Sequence, residues 1–310
     1  MKSRILFSVA LLFAAAITAA AAEPVAHPFV CTDYTAGALC RVSRDGKFER
    51  LAEAPNSNDL WVLPDGNILF VTGHGVKELA PWPEGSNNIG GIIVFAYESK
   101  SGIYGCQRLA NGNTFVAECE AGRLLEIDPQ GKIAKEIRLL PEGTDGGHAF
   151  LRNARVLPNG GYLVAHYGLG VVREYDAAGK RVREIPASGG PHSAVRLPDG
   201  NTLIAIADGD QNPRVIEVDA GGKIVWQFSH ADVPGLKLAF MTGLQRLANG
   251  NTVMTNWLGH GQFGQGPHVI EVTREKKVVW TYADHTAFRT ISSIVLLDIP
   301  GDCTKGEILH

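Results

Sequence analysis

The chain has 310 residues, of which 45% are hydrophobic and 20% are charged, and its formal net charge at pH 7 is −3. It carries no basic run of the kind that binds nucleic acid, and no charge block or long linker divides it. We therefore exclude a nucleic-acid partner and predict one domain, residues 23–310, behind an N-terminal leader.

The first 22 residues have the pattern of a secretory signal peptide. Lys2 and Arg4 precede an apolar stretch at residues 5–17, and three alanines at residues 20–22 stand before Glu23. The apolar stretch is short for a bilayer span, which needs about 20 residues, and small residues crowd its end. We predict cleavage, a mature chain without a membrane span, and a periplasmic or extracellular location; a membrane anchor is the alternative.

Five copies of one short phrase divide the rest of the chain. Each contains Asp-Gly or Asn-Gly between apolar alternating runs, which predicts a hairpin because glycine accepts the positive φ of a tight turn. The copies are residues 63–67, 109–113, 157–161, 197–201 and 247–251. Their glycines lie 46, 48, 40 and 50 residues apart, and this period with strand-like sequence between the turns predicts propeller blades.

A second turn at Gly131, Gly179 and Gly222 follows three of these phrases, so each repeat contains two hairpins and four strands. Residues 28–54 supply only three strands, and residues 291–297 are expected to supply the fourth. We predict an all-β, six-bladed β-propeller with four-stranded antiparallel blades, whose last blade is closed by both termini. The innermost strands are expected near residues 59–63, 104–109, 152–157, 192–197, 242–247 and 291–297.

Five cysteines fit an oxidising compartment, and their odd number leaves at least one thiol unpaired within the chain. Cys106 and Cys119 flank one predicted hairpin and are candidates for a cross-strand pair. Cys303 is a candidate partner for Cys31 or Cys40 in the closing blade. None belongs to a Cys-x-x-Cys pair, which favours a structural role over a catalytic one.

Two positions of each repeat return to one face of the predicted propeller near its axis. The position five residues before the repeated leucine holds Asn58, Tyr104, Arg152, His192 and Thr242. The position six residues after the repeated glycine holds Thr72, Glu118, His166, Ile206 and Asn256. Most core positions repeat as valine, leucine or isoleucine, so this polar set predicts a site on that face.

Flanking loops add further ring side chains to the same face. His148 ends a Gly-Gly-His entry to an inner strand, and His74 and His260 each lie in a Gly-His-Gly tripeptide. Glycine-rich loops that carry histidine let a ligand approach backbone and imidazole together. Trp257 follows Asn256 and is a candidate for stacking on a sugar or an aromatic ring.

Several histidines, one arginine and one carboxylate on neighbouring blades predict proton transfer near neutral pH and a clamp for an anionic group. The predicted catalytic residues are His148, Arg152, His166, His192 and Glu118. The predicted ligand-binding residues are Asn58, His74, Tyr104, Asn256, Trp257 and His260. The expected ligand is an anionic small molecule or an acidic glycan.

The phrase Leu-Pro-Asp-Gly-Asn-Thr-Leu, followed by Val-Ile-Glu-Val-Asp and Gly-Lys-Ile-Val-Trp, resembles the repeats of quinoprotein-like propellers, and most of all the branch of bacterial arylsulfate sulfotransferases. Residues 192–201 resemble the inner-strand phrase in which those enzymes carry the sulfuryl group on a histidine. The resemblance implies His192 as the nucleophile, Arg152 as the anion clamp, and His166 or His148 as the acid–base partner. The tryptophan-rich docking repeats of quinone-binding propellers are missing, so no bound quinone is expected.

Three classes of function stay open at this point. The first is an exported enzyme that works by transfer, hydrolysis or elimination, the last with His166 or His192 as base beside Arg152. The second is a non-catalytic module that binds a sugar, a metabolite or a protein on the same face. The third is a structural propeller whose outer edges bind protein. A structural interpretation of Arg152 is also open, in which it pairs with Glu118 from one blade to the next.

A divalent metal is a further alternative for this face. His148, His166, His192 and Glu118 are residue types that bind Mn²⁺, Zn²⁺ or Ca²⁺. No His-x-x-x-His motif supports a metal, and no organic cofactor is predicted.

Overall fold

The computed structural model describes residues 27–83, 90–207 and 212–310, so the predicted signal peptide lies outside the described residues. Within these ranges, 24 β-strands form six antiparallel sheets of four strands each. The predicted six-bladed, all-β propeller is confirmed. No helix in the same ranges is long and apolar enough to cross a membrane.

Blade 1 is built from both ends of the described chain, as predicted. From the axis outwards its strands are β24 (Ile291–Leu296), β1 (Phe29–Asp33), β2 (Ala38–Val42) and β3 (Phe48–Glu53). Strand β24 pairs with β1 in antiparallel register, with Val295 opposite Val30. Backbone pairing therefore closes the ring.

The other five blades follow in chain order, each with its innermost strand first. Blade 2 contains β4 (Leu60–Val62), β5 (Ile68–Val71), β6 (Gly75–Pro81) and β7 (Gly91–Glu98). Blade 3 contains β8 (Ile103–Arg108), β9 (Thr114–Glu118), β10 (Arg123–Ile127) and β11 (Ile133–Arg138). Blade 4 contains β12 (Asn153–Val156), β13 (Tyr162–His166), β14 (Val171–Tyr175) and β15 (Arg181–Pro186). Blade 5 contains β16 (Pro191–Arg196), β17 (Thr202–Ile206), β18 (Arg214–Val218) and β19 (Ile224–Phe228). Blade 6 contains β20 (Met241–Arg246), β21 (Thr252–Asn256), β22 (Val269–Val272) and β23 (Val278–Tyr282).

The repeated phrase forms the turn between the two innermost strands of a blade. In blade 2, the Gly66 N–H donates to the Leu63 carbonyl at 2.9 Å, and the Leu63 N–H donates to the Asn67 carbonyl at 2.8 Å. Gly66 has a φ of +85°, which explains why glycine stands there. The same closure recurs at Gly112, Gly160, Gly200 and Gly250.

The apolar core lies between neighbouring blades, where the burial of large side chains drives folding. Trp280 of blade 6 packs with Phe29 of blade 1 and with Phe288. Trp226 of blade 5 packs with Met241 of blade 6 in the same manner. The inner strands of all six blades contact one another in a closed ring around the axis.

A recurring ion pair joins the third strand of one blade to the inner strand of the next. The pairs are Glu78–Arg108 at 2.5 Å, Glu174–Arg196 at 2.7 Å and Glu217–Arg246 at 2.8 Å. Between blades 6 and 1 a histidine takes the place of the arginine. There, Nε2 of His27 lies 3.2 Å from Glu271, and Nδ1 lies 2.9 Å from Asp298. The ring thus closes on a titratable group.

The segment after β24 fills one end of the central channel. The Arg246 N–H donates to the Leu309 carbonyl at 2.9 Å, and the adjacent His310 is buried. Nε of Arg155 donates to the His310 carbonyl at 2.8 Å, and Nε2 of His310 lies 3.3 Å from the Ser293 hydroxyl. A cavity of about 760 Å³ lies beside this segment, on the face that carries the repeated turns.

All five cysteines are buried free thiols, so the predicted disulfide candidates are wrong. Cys106 lies opposite Val116, and Cys119 lies beyond the end of β9. Cys303 packs with Trp61 between blades 2 and 3, away from the closing blade. The free thiols are among the smaller members of the core and make no covalent link.

Candidate functional site

Irregularities at the start of the inner strands position the candidate site residues. The register of β8 shifts at Tyr104 and that of β16 shifts at His192, so neither residue has a partner on the neighbouring strand. Thr242 lies within the corresponding shift of β20. Arg152 immediately precedes β12, and its N–H donates to the Ala165 carbonyl at 3.0 Å. Such bulges change the direction of a side chain at the end of a strand. Equivalent positions of several blades can therefore contribute side chains to a single site.

These side chains line a cavity of about 390 Å³, at the end of the channel opposite the buried C-terminal segment. Its lining residues are Tyr34, Asn58, Tyr104, His148, Arg152, Tyr167, His192, Phe240, Thr242, Trp257 and His260. Seven of them belong to the predicted catalytic and ligand-binding set. Among the described lining residues there is no aspartate or glutamate, and eight carry rings. The lining therefore suits a small anion that has an apolar part.

Arg152 lies between two tyrosine rings. Its guanidinium carbon is 4.6 Å from the centroid of Tyr104 and 5.0 Å from that of Tyr167. Its Nη1 donates to the His148 carbonyl, and the residue is 9% exposed. Across the described residues, no carboxylate lies within ion-pair distance of this guanidinium. A buried cation with aromatic support and no counter-ion is prepared to receive an anion.

His192 supplies a neutral imidazole beside this cation. The ring is 6% exposed, makes no hydrogen bond to a described residue, and packs edge-on against Phe240 at 5.9 Å. Burial, followed by the positive charge of Arg152, lowers the pKa of His192 to about 3. The imidazole is therefore neutral at physiological pH, with one nitrogen lone pair available for reaction.

His148 and Tyr104 form a second polar pair at the cavity. The Tyr104 hydroxyl lies 3.0 Å from Nδ1 of His148. Burial and the charge of Arg152 lower the pKa of His148, whereas Glu120 opposes the shift. Burial raises the pKa of Tyr104, so its hydroxyl stays protonated. A neutral imidazole and a protonated phenol at this distance share a hydrogen bond through which a proton can pass.

Four of the ring side chains that line the cavity are here called the aromatic wall: Tyr34, Phe240, Trp257 and His260. The Trp257 ring is 5.2 Å from Phe240, 5.9 Å from Tyr34 and 4.9 Å from His260 between centroids. All three contacts are edge-to-face, the arrangement that aromatic pairs prefer.

Two predicted catalytic residues lie outside the cavity lining. Glu118 accepts from Nε of Arg123 at 2.6 Å and from the Ser99 hydroxyl at 2.6 Å, so it is not the partner of Arg152. Nδ1 of His166 lies 2.8 Å from the Phe150 carbonyl, and Nε2 lies 2.8 Å from the Tyr175 hydroxyl. Burial lowers the pKa of His166 to about 4. Both side chains are occupied by structural contacts.

Two predicted ligand-binding residues also lie outside the lining. Asn256 is buried, accepts from the Ala239 N–H at 2.7 Å and donates to the Lys237 and Pro267 carbonyls at 2.9 Å. It thus joins the two loops that carry Phe240 and Trp257. His74 is exposed on a turn of blade 2.

The four residues of the predicted metal set do not meet. His148 and His192 line the cavity, whereas His166 and Glu118 lie outside it. No group of three or more His, Cys, Asp or Glu side chains within the described ranges is arranged to hold a metal ion.

Three lining residues escaped the sequence prediction: Tyr34, Tyr167 and Phe240. Tyr167 follows His166 directly, as Trp257 follows Asn256. The position seven residues after the repeated glycine could therefore have predicted Tyr167. Phe240 lies two residues before Thr242, in a loop whose length differs between repeats. Tyr34 belongs to the blade that lacks the repeated phrase.

No protein-family model matches the chain, and no curated protein matches it. A structure of a protein of unknown function from Bacteroides caccae is 25% identical, has a TM-score of 0.72, and is matched over 87% of this chain and 98% of that one. Virginiamycin B lyase from Staphylococcus aureus, in a catalytically inactive form with quinupristin, is 17% identical, with a TM-score of 0.54 and coverage of 84% and 86%. A chain of a nidogen/laminin complex is 12% identical, with a TM-score of 0.59 and coverage of 86% and 97%.

These neighbours support the six-bladed propeller. The likenesses below 25% identity show the fold alone, and the 25% identical structure has no assigned function. Because propellers host many activities, a function for this chain has to be argued from the cavity.

Proposed function

We propose that the protein is an enzyme that acts on an anionic small molecule, or on the acidic end of a glycan, in the 390 Å³ cavity. One observation carries the proposal. Arg152 is a buried guanidinium without a carboxylate partner among the described residues, and it lies in the same cavity as the unbonded, neutral imidazole of His192. Arg152 would hold the anion and His192 would react with it.

Group transfer is the first reaction that suits this pair. The resemblance to arylsulfate sulfotransferases supports sulfuryl transfer in particular. His192 would attack sulfur while the bond from sulfur to the leaving oxygen breaks, and Arg152 would stabilise charge on the sulfuryl oxygens. The leaving oxygen would take a proton from the pair formed by Tyr104 and His148. The hydroxyl of an acceptor would then take the sulfuryl group from His192 and return its proton to the same pair. The low pKa of His192 keeps its imidazole unprotonated at neutral pH, so one nitrogen lone pair is free to attack.

Elimination is the second reaction. His192 would remove a proton beside a carboxylate held by Arg152, and the bond to a leaving group on the next carbon would break. A base with a pKa of about 3 is poorly matched to this task at pH 7. A bound anion would neutralise Arg152 and so remove one of the two causes of that low value.

A non-catalytic binding module is the alternative function. The ring-lined cavity suits a bound ligand equally well whether or not the ligand then reacts.

We also propose that the chain is exported, on the basis of the signal-peptide pattern at residues 1–22. Edman sequencing of the protein recovered from its native compartment tests export, since cleavage predicts an N-terminus at Glu23.

A thermal-shift screen followed by turnover assays tests the function. The panel contains aryl sulfates, simple carboxylates and acidic oligosaccharides, and the proteins are wild type, Arg152→Ala, His192→Ala and His74→Ala. His74→Ala is the matched control, because His74 is exposed and does not line the cavity. A ligand at about 100 times its Kd adds roughly 2.7 kcal/mol to stability, which such a screen detects.

The enzyme proposal predicts a stabilising ligand that is lost in Arg152→Ala, and turnover that is lost in His192→Ala while binding persists. Binding without turnover in wild type would instead identify a binding module. No stabilisation by any anion, with all variants folded, would contradict both functions.

A further inference from the structure

The aromatic wall lies in the same cavity as Arg152, and the proposed chemistry does not use it. Ring contacts run without a break from the cation to the wall. Tyr167 lies 5.0 Å from the Arg152 guanidinium carbon, Phe240 lies 6.3 Å from Tyr167, and Trp257 lies 5.2 Å from Phe240. A run of neighbouring ring side chains therefore connects Arg152 to Trp257 along the lining of the cavity.

Glycines lie directly against two of these rings, Trp257 of the aromatic wall and the neighbouring Tyr167. A Cβ at Gly259 would lie 1.9 Å from the Trp257 ring, and a Cβ at Gly190 would lie 2.4 Å from the Tyr167 ring. Both rings thus rest directly on backbone that only glycine leaves clear. Rings supported in this way lose little freedom when a ligand binds, and this makes the wall a preorganised surface.

The remaining donors of Arg152 favour a particular anion. Nη1 is engaged by the His148 carbonyl, which leaves Nε and Nη2 as the fork for a ligand. Two parallel donors match the two oxygens of a carboxylate. A sulfate ester has a third terminal oxygen that points away from such a fork. It would lack a cationic partner, because Arg152 is the one cationic side chain among the described lining residues apart from the histidines.

We infer that the cavity selects a carboxylate carried by a flat aromatic ring, with the acid on Arg152 and the ring against Trp257 and Phe240. The inference rests on the proposed function, since it names the ligand class of the same site, and it takes the carboxylate substrate of the elimination reaction rather than the sulfate ester of sulfuryl transfer. Ring stacking adds about tenfold to affinity beyond the area buried, so a saturated ring of equal size is the informative comparison.

Isothermal titration of the whole protein with phenylacetate, cyclohexylacetate, phenyl sulfate and glucuronate tests this inference. The proteins are wild type, Trp257→Leu and Phe263→Leu. Phe263 lies in the same loop as Trp257, is 45% exposed and does not line the cavity, so it is the matched control. Unfolding midpoints are measured in parallel to show that each variant is folded.

The expected result is that wild type and Phe263→Leu bind phenylacetate about tenfold more tightly than cyclohexylacetate, and that Trp257→Leu binds both equally. Equal affinity for the two acids in wild type would overturn ring selection and leave the proposed function intact. Tighter binding of phenyl sulfate or glucuronate would overturn the assigned class in the same way. If no anion binds the folded wild type, the proposed function itself fails.

Discussion

The guanidinium of Arg155 makes two hydrogen bonds to the carboxylate of Asp59, at 2.7 and 2.8 Å, deep in the channel. Arg152, three residues earlier, has no carboxylate partner among the described residues and faces the cavity instead. Arg155 lies in the inner strand β12, and Arg152 directly precedes that strand. The charge of Arg155 is neutralised by Asp59, whereas Arg152 lines the cavity without such a partner among the described residues. From this contrast we infer a structural role for Arg155 and a ligand-binding role for Arg152.

Breaking the buried pair is expected to cost stability. Asp59→Asn leaves the Arg155 charge buried without a counter-ion, so we expect a loss of about 3–5 kcal/mol in the free energy of unfolding. Urea denaturation measures it. Arg181→Ala, which removes a surface pair with Glu184, is the control and should cost no more than about 1 kcal/mol. A loss below 1 kcal/mol for Asp59→Asn would contradict the structural role.

Acid is expected to destabilise the fold through buried neutral histidines. Burial lowers the pKa of His166, His268 and His310 to about 4 and, with Arg152, that of His192 to about 3. Imidazoles in the unfolded chain titrate near pH 6.5. The stability that these four histidines contribute is therefore complete above about pH 6.5, and it falls as the pH drops towards their pKa values in the folded state.

His192→Leu removes one of these groups without removing a hydrogen bond to a described residue. The difference in unfolding free energy between pH 7 and pH 5 should shrink by about 1–2 kcal/mol relative to wild type. Urea titrations at the two pH values measure it. His74→Gln is the control, since His74 is exposed and its substitution should leave the difference unchanged. An unchanged difference in His192→Leu would show that folding does not lower the pKa of this imidazole, contrary to its burial beside Arg152.

Blade closure should respond to pH in the opposite direction. The hydrogen bond to Glu271 is the main cause that raises the pKa of His27, and Asp298 acts in the same sense. The stabilisation is therefore fully present below about pH 6.5 and is lost as the pH rises through the higher folded value. His27→Gln should destabilise the protein at pH 6 and progressively less towards pH 9. A loss that is the same at both pH values would argue against a charged His27.

The glycines beneath the ring side chains provide a test that substitutes no lining residue. Gly190→Ala and Gly259→Ala force Tyr167 and Trp257 to move, so the affinity for an aromatic acid should fall at least tenfold. Gly235→Ala is the control, because its Cβ would meet no atom within 4 Å. Calorimetric titration compares the three. Wild-type affinity in Gly190→Ala and Gly259→Ala would mean that these rings do not contact the ligand.

The repeated turns made the fold predictable, because each Asp-Gly or Asn-Gly pair sets a hairpin and the hairpins set the blade. The same periodicity located Arg152 and His192, since equivalent positions in a symmetric ring meet at its axis. The periodicity did not predict the side-chain contacts of Glu118 and His166. Both residues end the second strand of a blade, but their side chains contact Arg123 and Tyr175 rather than the cavity. Which way a side chain faces at the end of a strand depends on local bulges, and spacing alone does not encode them.

The C-terminal segment was beyond prediction for a different reason. It carries no repeat and no hairpin turn, and its position depends on contacts such as the one between Arg155 and His310, which are 155 residues apart. Phe240 and Tyr34 were missed for the same cause, because they reach the cavity from loops outside the repeat.

A crystal structure of the protein soaked with 4-bromophenylacetate tests the central claim most directly, because the anomalous signal of bromine locates the ring. We predict the carboxylate within hydrogen-bond distance of Arg152 and the bromine at the aromatic wall, beside Trp257. A ligand bound only in the second cavity near Leu309, or an empty 390 Å³ cavity at saturating ligand, would contradict the assignment.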